Sequence, residues 1–294
     1  MINIPLGKWV EQGVDWLSAS AGGFFDAITV GVDAMVDALE NTLMFPNPYV
    51  VIIIFAIISY ALNSKGLKPF SKSGWKAGGG MFIFTILGLW LLLAMGYWEE
   101  TMQTIALTIV AAFIALVIGI PVGIYASRHD TGEQIIRPIL DFMQTLPPFV
   151  YLIPAIIFFS VGNVPGVIAT IVFSLPPAVR LTNLGIRNVQ KDVVEASLAF
   201  GCTQRQLLYK VQIPLAMPTI LAGVNQVIML ALSMVVIASM VGAGGLGQAV
   251  YRGILKADMA LGFEAGLGIV ILAIFLDRLT QALGVSRSQS SEEE

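Results

Sequence analysis

Long apolar stretches recur along this chain, separated by short polar segments. About 20 mostly apolar residues are needed for a helix to cross the hydrocarbon core of a bilayer. These stretches show no alternation of apolar and polar positions, which excludes the strands of a membrane barrel. Seven of them are long enough, and each is predicted to be a transmembrane helix: 46–63, 78–97, 101–126, 138–160, 164–184, 216–241 and 263–283.

Composition indicates that lipid, not water, surrounds most of the protein. Of its 294 residues, 56% are hydrophobic and only 12% are charged, whereas an ordinary soluble domain has roughly 25% charged residues. The net charge of −3 argues against a nucleic-acid partner. A single cysteine, Cys202, excludes an internal disulfide. We therefore expect an all-α integral membrane protein.

Prolines interrupt two of the seven segments. They are Pro147, Pro148 and Pro154 in the fourth segment and Pro176 and Pro177 in the fifth. Each proline lacks the backbone N–H that would bond the carbonyl four residues earlier, so that carbonyl needs another partner. Each segment is therefore either a kinked helix that serves packing or a broken helix that lines a pathway.

Basic residues in the short loops predict the orientation of the chain. They fall on one side of a seven-helix bundle: Lys65, Lys68, Lys72, Lys76, Arg128, Arg137, Arg180, Arg187, Lys191, Arg205 and Lys210. The opposite loops, 97–100 and 161–165, contain no lysine or arginine. We expect the basic side to face the cytoplasm, which places the N-terminus outside and the C-terminus inside.

The segment before the first predicted span is amphipathic. Apolar residues recur at helical spacing at Phe25, Ile28, Val32, Met35, Leu39 and Leu43. Acidic residues occupy the remaining arc at Asp26, Asp33, Asp37 and Glu40. This pattern predicts a helix from Phe24 to Phe45 that lies along the outer membrane interface. An acidic polar face is unusual for a lipid-binding helix, so packing against protein is the alternative.

The loop between the fifth and sixth spans, 189–218, is too polar to cross a membrane and is strongly patterned. Asp192 and Glu195 have the spacing of a capping box and predict the start of a short helix that ends at Phe200. Gly201 permits the left-handed conformation that terminates a helix. The first half of the loop is therefore predicted to be a short helix followed by a sharp turn.

The second half of this loop carries its own helix signals. Thr203 with Gln206 has the spacing of a second capping box, and Pro214 is expected to stop the helix that follows. Two short helices around a glycine turn form a compact projection into the cytosol. It is either a docking element for a partner or an amphipathic hairpin at the membrane interface.

The loop resembles the signature loop of ATP-binding-cassette importer permeases. That signature is Glu-Ala-Ala, a glycine about four residues later, and Ile-x-Leu-Pro about ten residues further. The matching residues here are Glu195, Ala196, Ser197, Gly201, Val211, Ile213 and Pro214. Ser197, Val211 and Ile213 depart from the pattern but are conservative in size. The resemblance implies that 189–215, the coupling loop, sits in a groove of a cytosolic ATPase subunit.

Residues 143–189 narrow the resemblance to permeases for glycine betaine and proline betaine, with their choline and carnitine relatives. It implies the five-helix core of a type I importer, a second copy of the permease, two cytosolic ATPases and an external substrate-binding protein or domain. The implied organisation is an extracytoplasmic segment (1–45), two peripheral helices (46–97), the core (98–284) and a disordered cytoplasmic tail (285–294).

Catalytic chemistry is not evident in the sequence. It contains no phosphate-binding GxxxxGK[ST] motif, so no cofactor is expected and ATP is assigned to the partner subunit. Intramembrane charges are nearly missing, which argues against an ion-coupled secondary transporter. That class remains one alternative. Another is a related permease for taurine-like sulfonates or methionine.

Aromatic faces hold quaternary ammonium groups by cation–π attraction. Around the proline interruptions, the candidates to line a translocation pathway are Met143, Phe149, Tyr151 and Phe158. Helix packing is the alternative role for each of these residues.

Overall fold

The computed structural model describes residues 6–64 and 72–285, and all regular elements in these ranges are helical. The longer helices are α1 (Leu6–Met44), α2 (Pro48–Asn63), α3 (Lys72–Ala94), α4 (Trp98–Arg128), α5 (Asp130–Thr145), α6 (Pro148–Phe159), α7 (Asn163–Arg187), α8 (Lys191–Ala199), α10 (Ile213–Ala238), α11 (Leu246–Lys256) and α12 (Met259–Val285). The three-residue α9 (Gln204–Gln206) and a π-helical turn (Leu207–Gln212) precede α10, and a 3₁₀ turn (Ser239–Val241) follows it.

Each of the seven predicted spans lies mainly in helix. Within the described ranges, five helical runs have the length and apolar composition to cross a membrane: Gly7–Met44, Trp98–Arg128, Asn163–Arg187, Gln204–Val241 and Met259–Leu283. The pair α5 and α6 makes a sixth if it is one bent span, and Pro48–Asn63 and Gly78–Ala94 are shorter apolar helices. The tail after residue 285 and the predicted basic residues Lys65 and Lys68 lie outside the described residues.

Helices α4, α7 and α10 form the centre of the bundle. Glycines bring α4 and α7 close together: a Cβ added at Gly119 would lie 2.5 Å from the Cβ of Ala178, and one at Gly123 would lie 2.7 Å from the carbonyl oxygen of Val179. Small residues four positions apart allow such close contact between helices in a membrane. The seam is therefore set by backbone proximity rather than by large side chains.

The two proline-containing segments fold differently. The fourth segment breaks after Leu146, and α5 and α6 meet at 97°. We call this break the elbow. In contrast, α7 continues through Pro176 and Pro177, both of which are buried. Of the two predicted alternatives, segment 138–160 is a broken helix, whereas 164–184 is one continuous helix.

The predicted N-terminal amphipathic helix is present and longer than expected. It begins at Leu6 and has a non-helical residue, Ala21, between two helical parts. Val32 and Val36 are buried in the same apolar cluster as residues of α4 and α7, and Phe25 stacks on Phe158 of α6 with ring centroids 4.5 Å apart. The apolar face of α1 therefore packs against protein.

Candidate functional site

The first helix of the coupling loop, α8, is presented almost entirely at the surface. None of its residues is buried, and Phe200, which follows it, is 89% exposed. Glu195 and Ala196 are exposed, while the Ser197 hydroxyl donates to the carbonyl of Val193 at 2.7 Å. An exposed helix with apolar residues beside it offers a surface suited to a protein partner.

The predicted capping box at the start of α8 is wrong. Gln190 is the N-cap and its side chain makes no capping hydrogen bond. Asp192 lies inside the first turn, where its negative charge favours the positive end of the helix dipole. Asp192 and Glu195 have the spacing of a capping box, but the N-cap is Gln190, two residues before the predicted N-cap Asp192.

The glycine turn is confirmed. Gly201 has φ of +84°, and the amide of Cys202 donates to the carbonyl of Ser197 at 3.1 Å across the turn. A Cβ at Gly201 would meet nothing within 4 Å, so backbone conformation rather than space favours glycine here. This turn reverses the chain between the two halves of the loop.

The second capping box is confirmed, but the predicted end of its helix is wrong. Gln206 Oε1 accepts from the Thr203 amide at 2.9 Å, and Thr203 Oγ1 accepts from the Gln206 amide at 3.3 Å. Pro214 does not stop the helix, because the amide of Ile213 donates to the carbonyl of Leu208, five residues back. This wider π turn accommodates the proline ring, and the helix continues into α10.

The signature residues in the second half of the loop lie around this π turn. Leu207 and Leu208 are buried, with Leu208 in a cluster that includes Ile186 and Ala216, and Ile213 packs against the same cluster. Val211 and Ile213 are half-buried. The second half of the coupling loop is therefore built into the bundle, while α8 projects from it.

Arginines at the cytoplasmic ends predicted for α4 and α7 connect the loop to the bundle. Arg128 donates to the carbonyl oxygen and to Oε1 of Gln204, both at 3.2 Å. Arg187 donates to the carbonyl oxygen of Ala126 at 3.0 Å. In the sequence, these arginines indicated only the orientation of the chain in the membrane. Both arginines are close in sequence to the ends of predicted helices, and this position could have indicated that they connect the helix ends to the loop.

Two of the four pathway candidates are in contact, and the other two lie elsewhere. Tyr151 Oη donates to the Met143 carbonyl at 2.5 Å across the elbow, so these two residues meet. Phe149 is 52% exposed, and Phe158 lies against α1. The structure thus gives Met143 and Tyr151 a shared structural contact that the sequence did not predict.

A polar cluster that the sequence analysis missed anchors α11. The amides of Gly244, Gly245 and Leu246 donate to side-chain oxygens of Asn163, Gln103 and Thr104, respectively. These bonds satisfy free amides at the start of the helix. The run from Gly242 to Gly245 is a turn in which Gly242 and Gly245 have positive φ.

Comparison with known proteins places this architecture in a class. Residues 115–286 match the family described as binding-protein-dependent transport system inner membrane component. The chain therefore belongs to this family of multi-pass membrane transport permeases. This membership supports the importer-permease interpretation over an ion-coupled secondary transporter.

Individual relatives are similar over nearly the whole chain. The glycine betaine transport system permease protein OpuAB of Bacillus subtilis is 46% identical, over 97% of this chain and 96% of its own length. The glycine betaine/carnitine transport permease protein GbuB of Listeria monocytogenes is 48% identical over 95% of both chains. The glycine betaine/proline betaine transport system permease protein ProW of Escherichia coli is 49% identical over 96% of this chain and 75% of its own length.

A solved structure shares the fold. An inward-facing conformation of the MetNI methionine ABC transporter matches with a TM-score of 0.59 and 24% identity, over 68% of this chain and 97% of that chain. The likeness supports the type I permease fold expected from the resemblance, and at this identity it concerns the fold alone.

Proposed function

We propose that this chain is the permease subunit of an ATP-driven importer for glycine betaine or a related quaternary ammonium osmoprotectant. The observation that carries the proposal is the near full-length similarity to OpuAB and GbuB, whose names specify glycine betaine or carnitine. Taurine-like sulfonates and methionine are the less favoured substrates, since OpuAB, GbuB and ProW are named for glycine betaine, carnitine or proline betaine.

In this proposal the coupling loop, 189–215, receives the force of ATP hydrolysis from a cytosolic ATPase subunit. Helix α8 supports this assignment because none of its residues is buried and Glu195 and Ala196 are exposed. The second half of the loop is continuous with α10, so a push on α8 reaches the bundle through a helix. ATP binding and hydrolysis belong to the partner, and this chain requires no cofactor of its own.

The assembly contains a second copy of the permease and an external substrate-binding protein or domain. The coupling loop faces the cytoplasm, with the N-terminus outside the cell and the C-terminus inside. Basic residues support this orientation, because Arg128, Arg187 and Lys191 all lie at the coupling-loop end of the bundle. On this topology α1 covers the outer half of α4, α6 and α7.

The solute pathway in this proposal runs past the elbow. Phe149 is the strongest of the four candidates because its ring is 52% exposed and is free to face a quaternary ammonium group. Met143 and Tyr151 line the same region through their contact. Phe158 is the weakest, since Phe25 already covers one face of its ring.

The test is uptake by proteoliposomes that contain the permease with its ATPase and binding protein. Radiolabelled glycine betaine, choline, carnitine, taurine and methionine are supplied in turn, with and without ATP. ATP-dependent accumulation of a quaternary ammonium solute supports the proposal. Accumulation that persists without the ATPase and collapses with an ionophore would establish a secondary transporter instead, and uptake of taurine or methionine alone would redirect the substrate class.

A further inference from the structure

Arg187 joins the ends of three helices directly before the coupling loop. It is the last residue of α7, and α8 begins at Lys191. Its guanidinium pairs with the carboxylates of Asp130 at 2.7 Å and Glu133 at 3.1 Å, in the first turn of α5. It also donates to the carbonyl oxygen of Ala126, in the last turn of α4, at 3.0 Å.

Helix α5 has little apolar packing to hold it in place. Only Gly132 and Leu140 of its 16 residues are buried. A cavity of about 430 Å³ lies between α5 and α7. Apolar side chains, among them Ile136 and Leu184, line this cavity. Polar contacts also cross it: the Arg187 pairs, an Asn183–Glu133 hydrogen bond of 3.1 Å, and an Arg180–Asp141 pair of 2.5 Å. Helix α5 therefore has room to move, and charged contacts connect it to α7.

The coupling loop is attached to the same point from its other side. Arg128, the last residue of α4, holds the main chain and side chain of Gln204 in the loop. The end of α4 thus contacts the loop through Arg128 and contacts Arg187 through the Ala126 carbonyl. Displacement of the loop acts on Arg187 both along α7 and through α4.

We propose that Arg187 is a positioning residue that transmits movement of the coupling loop to α5 and so to the elbow. This inference rests on the proposed function and adds the route by which force on α8 changes the angle between α5 and α6. The guanidinium suits this role because its Nε donates to Asn183 at 3.0 Å while Nη2 engages the other helices. Lysine carries a single point charge and cannot contact Asn183 and the neighbouring helices with separate nitrogens.

The measurement is the number of solute molecules taken up per ATP hydrolysed, with both quantities determined in the same proteoliposomes. Arg187→Ala is expected to lower this ratio about tenfold, which corresponds to about 1.4 kcal/mol of lost coupling. ATP hydrolysis and the yield of assembled complex are expected to stay near wild type. The ratio for Arg187→Lys should lie between the wild-type ratio and that of Arg187→Ala.

Glu133→Gln is the second variant, because it removes the partner charge and retains an amide oxygen for Asn183. Combined with Arg187→Ala, it should lower the ratio no further than Arg187→Ala alone, since both act through one contact. Arg252→Ala is the matched control: Arg252 forms another exposed arginine–carboxylate pair, with Glu100 at 3.4 Å, and its removal should leave the ratio unchanged.

A wild-type ratio in Arg187→Ala would overturn the proposal. A second result would also overturn it. If Arg187→Ala loses uptake, ATP hydrolysis and assembled complex together, and Glu133→Gln keeps the wild-type ratio, then Arg187 has a purely structural role. Failure of the proposed function is distinguishable, since the wild-type protein itself would then show no ATP-dependent uptake.

Discussion

The two proline pairs of this protein have opposite outcomes. Pro147 and Pro148 separate α5 from α6 at 97°, whereas Pro176 and Pro177 lie inside the continuous α7. Fifteen of the 25 residues of α7 are buried, against two of 16 in α5 and two of 12 in α6. A break in α7 would therefore expose many buried residues, whereas the break between α5 and α6 exposes few. The same local signal produces a bend only where tertiary contacts do not oppose it.

The largest expected effect comes from removing the prolines at the elbow. Each proline disfavours a continuous helix by about 3 kcal/mol, so Pro147→Ala with Pro148→Ala should straighten α5 and α6 and abolish transport. Spin labels at positions 139 and 157, in a Cys202→Ser background, report the change as a longer distance. Pro176→Ala with Pro177→Ala is the matched control and should leave the direction of α7 unchanged. An unchanged distance at the elbow would show that tertiary contacts, not the prolines, hold the bend.

The seam that keeps α7 straight can be tested next. Gly123→Ala places a Cβ 2.7 Å from the Thr182 Cβ and the Val179 carbonyl oxygen. Such overpacking typically costs about 1–3 kcal/mol, so the melting temperature of the purified protein should fall. Gly266→Ala, in α12 where a Cβ meets nothing within 4 Å, should be neutral or slightly stabilising because alanine favours helix. Equal melting temperatures for the two variants would argue against a tight seam.

A substitution at Gly201 tests the effect of backbone conformation alone, because a Cβ there meets no neighbouring atom within 4 Å. A β-branched residue at φ of +84° costs about 1–2 kcal/mol or more, so Gly201→Val should distort the coupling loop. We expect ATP hydrolysis to continue in the assembled complex while uptake falls. Asparagine tolerates this conformation, so Gly201→Asn should retain coupled uptake. Normal coupling in Gly201→Val would mean that this turn is unimportant for transmission.

The smallest expected effect concerns the bond across the elbow. Pro147 cannot donate to the Met143 carbonyl, and the Tyr151 hydroxyl occupies that carbonyl at 2.5 Å instead. Tyr151→Phe should cost about 1 kcal/mol and increase amide hydrogen exchange around residue 146. Tyr49→Phe, at a side chain that is 60% exposed, serves as the control. Identical exchange in both variants would mean that the bond adds nothing to the elbow.

Sequence patterns located most of the fold because hydrophobic length and local chemistry act over one or two turns. The seven apolar segments, the Gly201 turn and the Thr203–Gln206 capping box all follow from residues close in sequence. The errors also have local explanations. Asp192 had the spacing of a cap but not the backbone position, and Pro214 is accommodated by a π turn that no short-range rule required.

Local patterns in the sequence were enough to show that this chain crosses a membrane and where the coupling loop turns. Contacts between distant segments determine which proline pair bends its helix, bring Tyr151 to Met143, and join α4, α5 and α7 at Arg187. The physical reason is distance along the chain. Arg187 and Glu133 are 3.1 Å apart in space but belong to different helices, and local periodicity carries no information about which helices become neighbours.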